Sequence, residues 1–243
     1  IRRILSELNL DEKLYPVQSV RAAISDAKNK LMTPDEWLDS ASDDFKAKKI
    51  AEAYKLYEKK LKDSSALDFD DLLIKTLELF AQHPPVLDYY KQKFRYILVD
   101  EYQDTNRAQY ELIRLLGYSH RNVCVVGDDD QSIYGWRGAD IRNILDFEKD
   151  YPDAKVIKLE QNYRSTASIL EAANQVVAHN RGRKEKVLWT DAGEGEPIAL
   201  YEALDERDEA AWVCAKLREL QRQGIQPGDA AVLYRVNAQS RVI

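Results

Sequence analysis

At 243 residues, 44% hydrophobic and 32% charged, the chain has enough apolar material for one large domain or two smaller ones. A net charge of -6 gives no overall basic signature, so any nucleic-acid contact has to be confined to a local groove. His83, His120 and His179 stand far apart with no neighbouring ligands, which excludes zinc-like spacing. Cys124 and Cys214, distant from one another in apolar or helical contexts, are expected as buried thiols in a reducing compartment, with no disulfide framework. No apolar run approaches the ~18 residues of a membrane span and no signal-peptide core is present, so the expectation is a cytoplasmic protein without a membrane partner.

Residues 1–65 read as almost entirely helical. Thr33-Pro34-Asp35-Glu36 is a helix start: a capping hydroxyl, a proline suited to the first helical position, and acids at the positive end of the dipole. From Asp44 to Lys62, Ile50, Tyr54, Tyr57 and Leu61 recur at helical spacing, with lysines and glutamates opposite. A solvated surface helix explains that face. A basic face built from Lys46, Lys48, Lys49, Lys59, Lys60 and Lys62 is the weaker reading, because acids are interspersed. Leu67-Asp68-Phe69-Asp70-Asp71-Leu72-Leu73 opens another helix, capped by Asp68, whose apolar positions run through Leu77 and Phe80 and stop before Pro84-Pro85. No glycine precedes Gly117, so this half holds no glycine-rich phosphate loop.

The centre of the chain is organised around Tyr96-Ile97-Leu98-Val99-Asp100-Glu101. Four apolar residues running into two carboxylates predict a short strand buried on both faces of a parallel sheet. Such sheets hold ligands at the carboxyl ends of their strands, where Asp100 and Glu101 would sit. A helix is expected from Thr105-Asn106 to Gly117, followed by a second buried strand, Val123 to Val126, that ends in Gly127-Asp128-Asp129-Asp130-Gln131. Strand, helix and strand make one right-handed crossover that delivers acids and amides to a single sheet edge.

The next loop, Ser132 to Asp140, sets Tyr134, Trp136 and Arg137 among two glycines. Interleaved rings and a guanidinium suit single-stranded nucleic acid, since rings stack on bases and arginine meets phosphate. Packing of the tryptophan as a core plug stands beside that reading. A helix from Ile141 to Lys149 and a third strand, Val156 to Leu159, lead to Tyr163-Arg164, with Ser165 or Thr166 capping a helix over 167–178. Arg164 is either a plain surface residue or a cation that meets developing phosphate charge. Beyond it come a polar connector around Arg181 to Lys186, a strand near Ile198 to Tyr201, a charged helix carrying Trp212, Val213, Leu217 and Leu220 that ends at Gly224, and a buried strand, Ala230 to Arg235.

Taken together, Leu67 to Leu72, Val99 to Asn106, Val125 to Asp140, Leu159 to Ser165 and Ala231 to Arg241 resemble, in order, the motifs of the UvrD/Rep/PcrA family of superfamily 1 DNA helicases. The resemblance implies an α/β fold: a RecA-like parallel-sheet motor domain of the P-loop NTPase class. On this reading residues 1–65 are part of a helical insertion, 66–165 the later part of the first motor domain, and 166–243 the start of a second. It also implies roles. Asp100, with Glu101, would hold Mg²⁺, and Glu101 would polarise the attacking water. Gln131 would sense the γ-phosphate of ATP, Arg164 would act as an arginine finger and Tyr163 would stack on adenine. Tyr134, Trp136 and Arg137 would contact DNA, the partners being single strands and single-strand/duplex junctions.

One departure from the family is large. Its Gly-x-Gly-Lys-Thr phosphate loop is absent, and no Gly-Lys-Ser/Thr occurs anywhere. The expectation is an internal segment of a longer helicase, inactive alone, whose partners include the remaining segments of the same protein. Three other readings stand beside it. They are the motor segment of a helicase–nuclease or recombination factor, a DNA-binding module that has lost its phosphate loop, and a nucleotide-binding α/β protein unrelated to DNA.

Overall fold

A computed structural model describes residues 1–40 and 44–243. The chain divides into two compact units, residues 1–159 with 176–186, and residues 160–175 with 187–243.

The first unit begins with helices α1 (Arg2–Glu7), α2 (Val17–Asn29), α3 (Pro34–Ser40) and α4 (Phe45–Asp63). Thr33 caps α3 as expected, and the cap is reciprocal: the Glu36 amide donates to the Thr33 hydroxyl at 3.2 Å and the Thr33 amide to the Glu36 carboxylate at 2.7 Å. The core of this layer is Ile4, Leu5, Val20, Ile24, Ala27, Ala53 and Tyr54. Burying each of its larger aliphatic side chains contributes about 1.5–3 kcal/mol. The opposite face of α4 is solvated, with Lys49 paired to Glu52 and Lys60 to Glu7.

Helix α5 (Phe69–Gln82) starts on a capping box between Asp68 and Asp71. It stops where expected, but Pro84-Pro85 opens no loop. The prolines enter the first turn of α6 (Pro84–Lys93), where a missing N–H leaves no bond unmade. Beneath α5 lies Lys28, whose ammonium is fully buried at 2.8 Å from Asp68, 2.8 Å from Asp71 and 2.7 Å from Glu58. The sequence reading of Asp68 as a simple cap missed this connection between α2, α4 and α5.

Strands β1 (Ile97–Val99) and β2 (Val123–Val125) pair in parallel, Ile97 opposite Val123 and Leu98 opposite Cys124. The helix between them, α7 (Arg107–Gly117), is capped by an Asn106–Gln109 box and preceded by a tight 3-10 turn at Tyr102–Asp104. The expected two-sided burial is corrected. One face meets the end of α7 near Gly117, whereas Leu98 is 78% exposed and Cys124 is an exposed thiol. Leu98 and Cys124 are register partners on the exposed face of the sheet.

Other expectations change too. The helix over 141–149 breaks at Asp146 into α8 (Arg142–Leu145) and α9 (Phe147–Asp150). Val156 to Leu159 and Ala230 to Arg235 carry strand-like sequences but pair with nothing among the described residues, and Leu159 and Leu233 are exposed. Strand preference describes fit to a paired, half-buried surface, so without a neighbouring ladder it produces no strand.

Helix α10 (Ala167–Val177), whose first nine residues lie in the second unit, shows no side-chain cap from Ser165 or Thr166 among the described residues. Its first amides, from Ala167 and Ser168, donate to the carbonyls of Gly193 and Glu194 instead. Ile198 to Tyr201 forms no strand among the described residues, and Tyr201 instead packs on α11 (Glu206–Arg222). Its ring stacks on Trp212 at 5.0 Å and its hydroxyl donates to Asp208. No helix among the described residues is long and apolar enough to cross a membrane.

Candidate functional site

The two strand ends meet through backbone and amide hydrogen bonds. After β1, the Asp100 carboxylate accepts the Glu101 amide at 2.9 Å. Glu101 itself lies in the left-handed region, with φ 51° and ψ 41°, a conformation that costs a non-glycine residue of order 1–3 kcal/mol. The Asp104 amide donates to the Glu101 carbonyl at 2.9 Å, and the Tyr102 amide donates to the carbonyl of Val126, just past β2, at 3.0 Å.

Gln103 is the buried joint between the two ends. Its side-chain amide donates to Glu101 at 2.8 Å and to Asp104 at 3.2 Å, while its side-chain oxygen accepts the Asp128 amide at 3.0 Å. Gly127 is required by this approach, since a Cβ there would stand 2.5 Å from the Gln103 side-chain oxygen.

Asp128 caps the turn Asp129–Gln131. It accepts the Asp130 amide at 3.0 Å and the Gln131 side-chain amide at 2.8 Å, and it touches the Lys186 ammonium. Burial works to raise the Asp128 pKa, but Lys186 and Gln131 outweigh it and hold the carboxyl below its usual range. The oxygens of Asp128, Asp129 and Asp130 lie within 4.8 Å of one another, but the Lys186 ammonium already supplies a counter-cation there. Asp100 and Glu101 each keep one carboxylate oxygen without a protein hydrogen bond among the described residues, a hard oxygen donor set of the kind Mg²⁺ takes.

Past this turn, Gly135–Arg137 forms a second tight turn closed by Gly138 at φ 83°. The Arg137 guanidinium stands 4.6 Å from the Trp136 ring centroid and 5.0 Å from that of Tyr134. Trp136 remains 74% exposed, which decides against the core-plug reading.

Glu101, Gln131, Tyr134, Trp136 and Arg137 line one cleft of about 1170 Å³, faced by Arg21 and Asn29 of α2. Asp100 adjoins Glu101 but is not part of the lining. Tyr163 and Arg164 belong to the second unit. There Tyr163 is exposed with its hydroxyl on Gln161 at 2.8 Å, and the Arg164 amide donates to Asn162 at 2.9 Å. The sequence reading gave Gln103 no role of its own and took Arg181 to Lys186 as a polar connector. An uncharged amide set between carboxylates, and a basic run able to answer an acidic triplet, were the available signals.

A parallel α/β edge carrying paired acids and an aromatic–arginine loop defines a class in which ligands bind at strand ends. The description "UvrD/REP helicase N-terminal domain" matches residues 1–152 and "UvrD-like helicase C-terminal domain" matches residues 157–243. The chain belongs to the UvrD/REP helicase family, whose domains imply a RecA-like P-loop fold around the small parallel sheet. Among curated relatives, the "ATP-dependent DNA helicase PcrA" of Staphylococcus epidermidis is 53% identical over all 243 residues, which correspond to 33% of that protein. The PcrA of Staphylococcus aureus shows the same 53% identity and coverage. The chain therefore spans about a third of the length of the curated relatives it matches.

Proposed function

We propose that the chain is a segment of an ATP-dependent DNA helicase that couples Mg-ATP hydrolysis to movement along single-stranded DNA and to unwinding at single-strand/duplex junctions, in repair or replication. The observation that carries this reading is the shared cleft. Glu101 and Gln131 line it together with Tyr134, Trp136 and Arg137, so the residues proposed for hydrolysis and those proposed for base stacking border one cavity. Bound Mg²⁺ would neutralise phosphate charge in the transition state. Asp100 and Glu101 are the residues suited to hold it, and Glu101 also orients and deprotonates the attacking water. Gln131 reads the γ-phosphate, Arg164 compensates its charge and Tyr163 stacks on the adenine. The phosphate loop that grips ATP is not in this sequence, so the remaining segments of the helicase are required partners. Residues 1–65 would belong to a helical insertion, 66–165 to the first motor domain and 166–243 to the start of the second.

The experiment uses the full-length protein. Glu101→Gln is expected to lower DNA-stimulated ATP turnover by about 10²-fold or more, the usual contribution of a general base, and to leave single-strand affinity in place. Turnover at the wild-type rate in that variant would sink the assignment.

A further inference from the structure

The segment Asn180–Lys186 makes a set of contacts that neither nucleotide nor DNA binding accounts for, all within the first unit. Asn180 donates to Asp130 at 2.9 Å, and the Lys184 amide donates to Asp129 at 2.8 Å. The Arg183 guanidinium is 2.8 Å from the Asp130 carboxylate, both side chains largely buried, and the pair is held by charge and proximity rather than by an aligned hydrogen bond. The Lys186 ammonium touches Asp128 and lies 3.9 Å from Asp129 and 3.8 Å from Asp130. Three consecutive carboxylates this close repel one another, and two cations from elsewhere in the chain cancel most of that charge.

The consequence runs through Asp128. Its carboxylate holds the Gln131 side-chain amide at 2.8 Å, and its backbone amide holds Gln103, which in turn holds Glu101. Whatever holds the Asp128 carboxylate therefore sets the resting position of Gln131, whereas the link to Gln103 and Glu101 runs from the Asp128 backbone amide and does not depend on that carboxylate. We propose that Asn180–Lys186 is a basic latch on the Asp128–Gln131 turn, with Lys186 and Arg183 acting as positioning residues for Gln131. Neither touches the reacting atoms; both act through carboxylates of the turn. The functional part of this inference rests on the helicase reading above.

The test uses the full-length protein carrying Lys186→Met or Lys186→Arg, with ATPase kinetics and hydrogen exchange over residues 127–134. Lys186→Met is expected to speed exchange across that stretch. It should lower DNA-stimulated kcat by about tenfold, within the usual range of coupling between sites, with KM for ATP, basal turnover and single-strand affinity unchanged. Lys186→Arg keeps the charge and restores both. Wild-type exchange in Lys186→Met overturns the latch. Faster exchange with unchanged stimulation, or a parallel loss of basal turnover and DNA affinity that Lys186→Arg does not restore, overturns the positioning role. If Lys186→Met does not fold, Arg183→Gln against Arg183→Lys gives the same readings. Should the wild-type protein show no DNA-stimulated turnover, the helicase reading fails separately and the exchange data alone decide the latch.

Discussion

Trp136 holds one ring face against the Arg137 guanidinium at 4.6 Å and leaves most of its remaining surface to solvent. That arrangement fixes the ring without covering it. A cation over an exposed indole contributes about 0.5–1 kcal/mol, enough to favour one orientation before a ligand arrives. If bases stack there, the loss on truncation follows from the ring: Trp136→Ala in the full-length protein is expected to weaken single-strand binding by about 1–3 kcal/mol, or roughly 5- to 150-fold in Kd. Trp136→Phe keeps a stacking surface and should recover most of that affinity. Fluorescence-anisotropy titration at fixed salt measures both variants, and equal affinities across all three proteins would remove Trp136 from the DNA contact. Glu101 shows the same economy, since its left-handed backbone turns the chain sharply at the strand end while Gln103 orients the carboxylate.

The contact of α2 and α4 with α5 concentrates on one buried lysine. Lys28 faces Glu58, Asp68 and Asp71, and its ammonium lies 5.2 Å from the Tyr57 ring centroid. Burial works to lower the Lys28 pKa, but the three carboxylates outweigh it and the net direction is upward. For Asp68, burial works to raise the pKa, whereas Lys28, the Asp71 amide and the Tyr57 hydroxyl outweigh it and bring it below the usual range. Lys28→Met would leave buried Asp71 and its neighbours without a cation, so the variant is expected to lose about 3–5 kcal/mol of stability in urea unfolding. A loss under 1 kcal/mol would mean that water or another cation replaces Lys28. The pH dependence has a defined sign. Asp68, with its folded pKa depressed, contributes stability that is present above about pH 4 and lost as pH falls through its lower folded value. Lys28, with its folded pKa raised, contributes stability that is complete below about pH 10 and fades as pH rises further. The unfolding midpoint should therefore drop on the acid side, and that drop should shrink in Lys28→Met, where Asp68 has lost its main partner.

At the scale of the whole molecule, the two compact units carry different parts of the expected site: Asp100, Glu101, Gln131 and the Tyr134–Arg137 loop in one, Tyr163 and Arg164 in the other. The sequence by itself determined the starts of α3, α5 and α7, the parallel pairing of β1 with β2, and the delivery of Glu101 and Gln131 to one edge. Those features follow from local rules, because a cap needs its partner three residues away and an apolar run ending in acids marks a strand end. It also carried the family resemblance, in motifs that stand in order along the chain. Only the tertiary structure decided which faces were covered, and so left Leu98 and Cys124 exposed and the sequences of Val156 to Leu159 and Ala230 to Arg235 without ladder partners. It alone joined Lys28 to residues 30 to 43 positions away, and Lys186 to Asp128 across 58 positions. Opposite charges at such separations follow no sequence period. Their pairing depends on where the backbone brings them and on the desolvation that makes an unpaired buried charge intolerable.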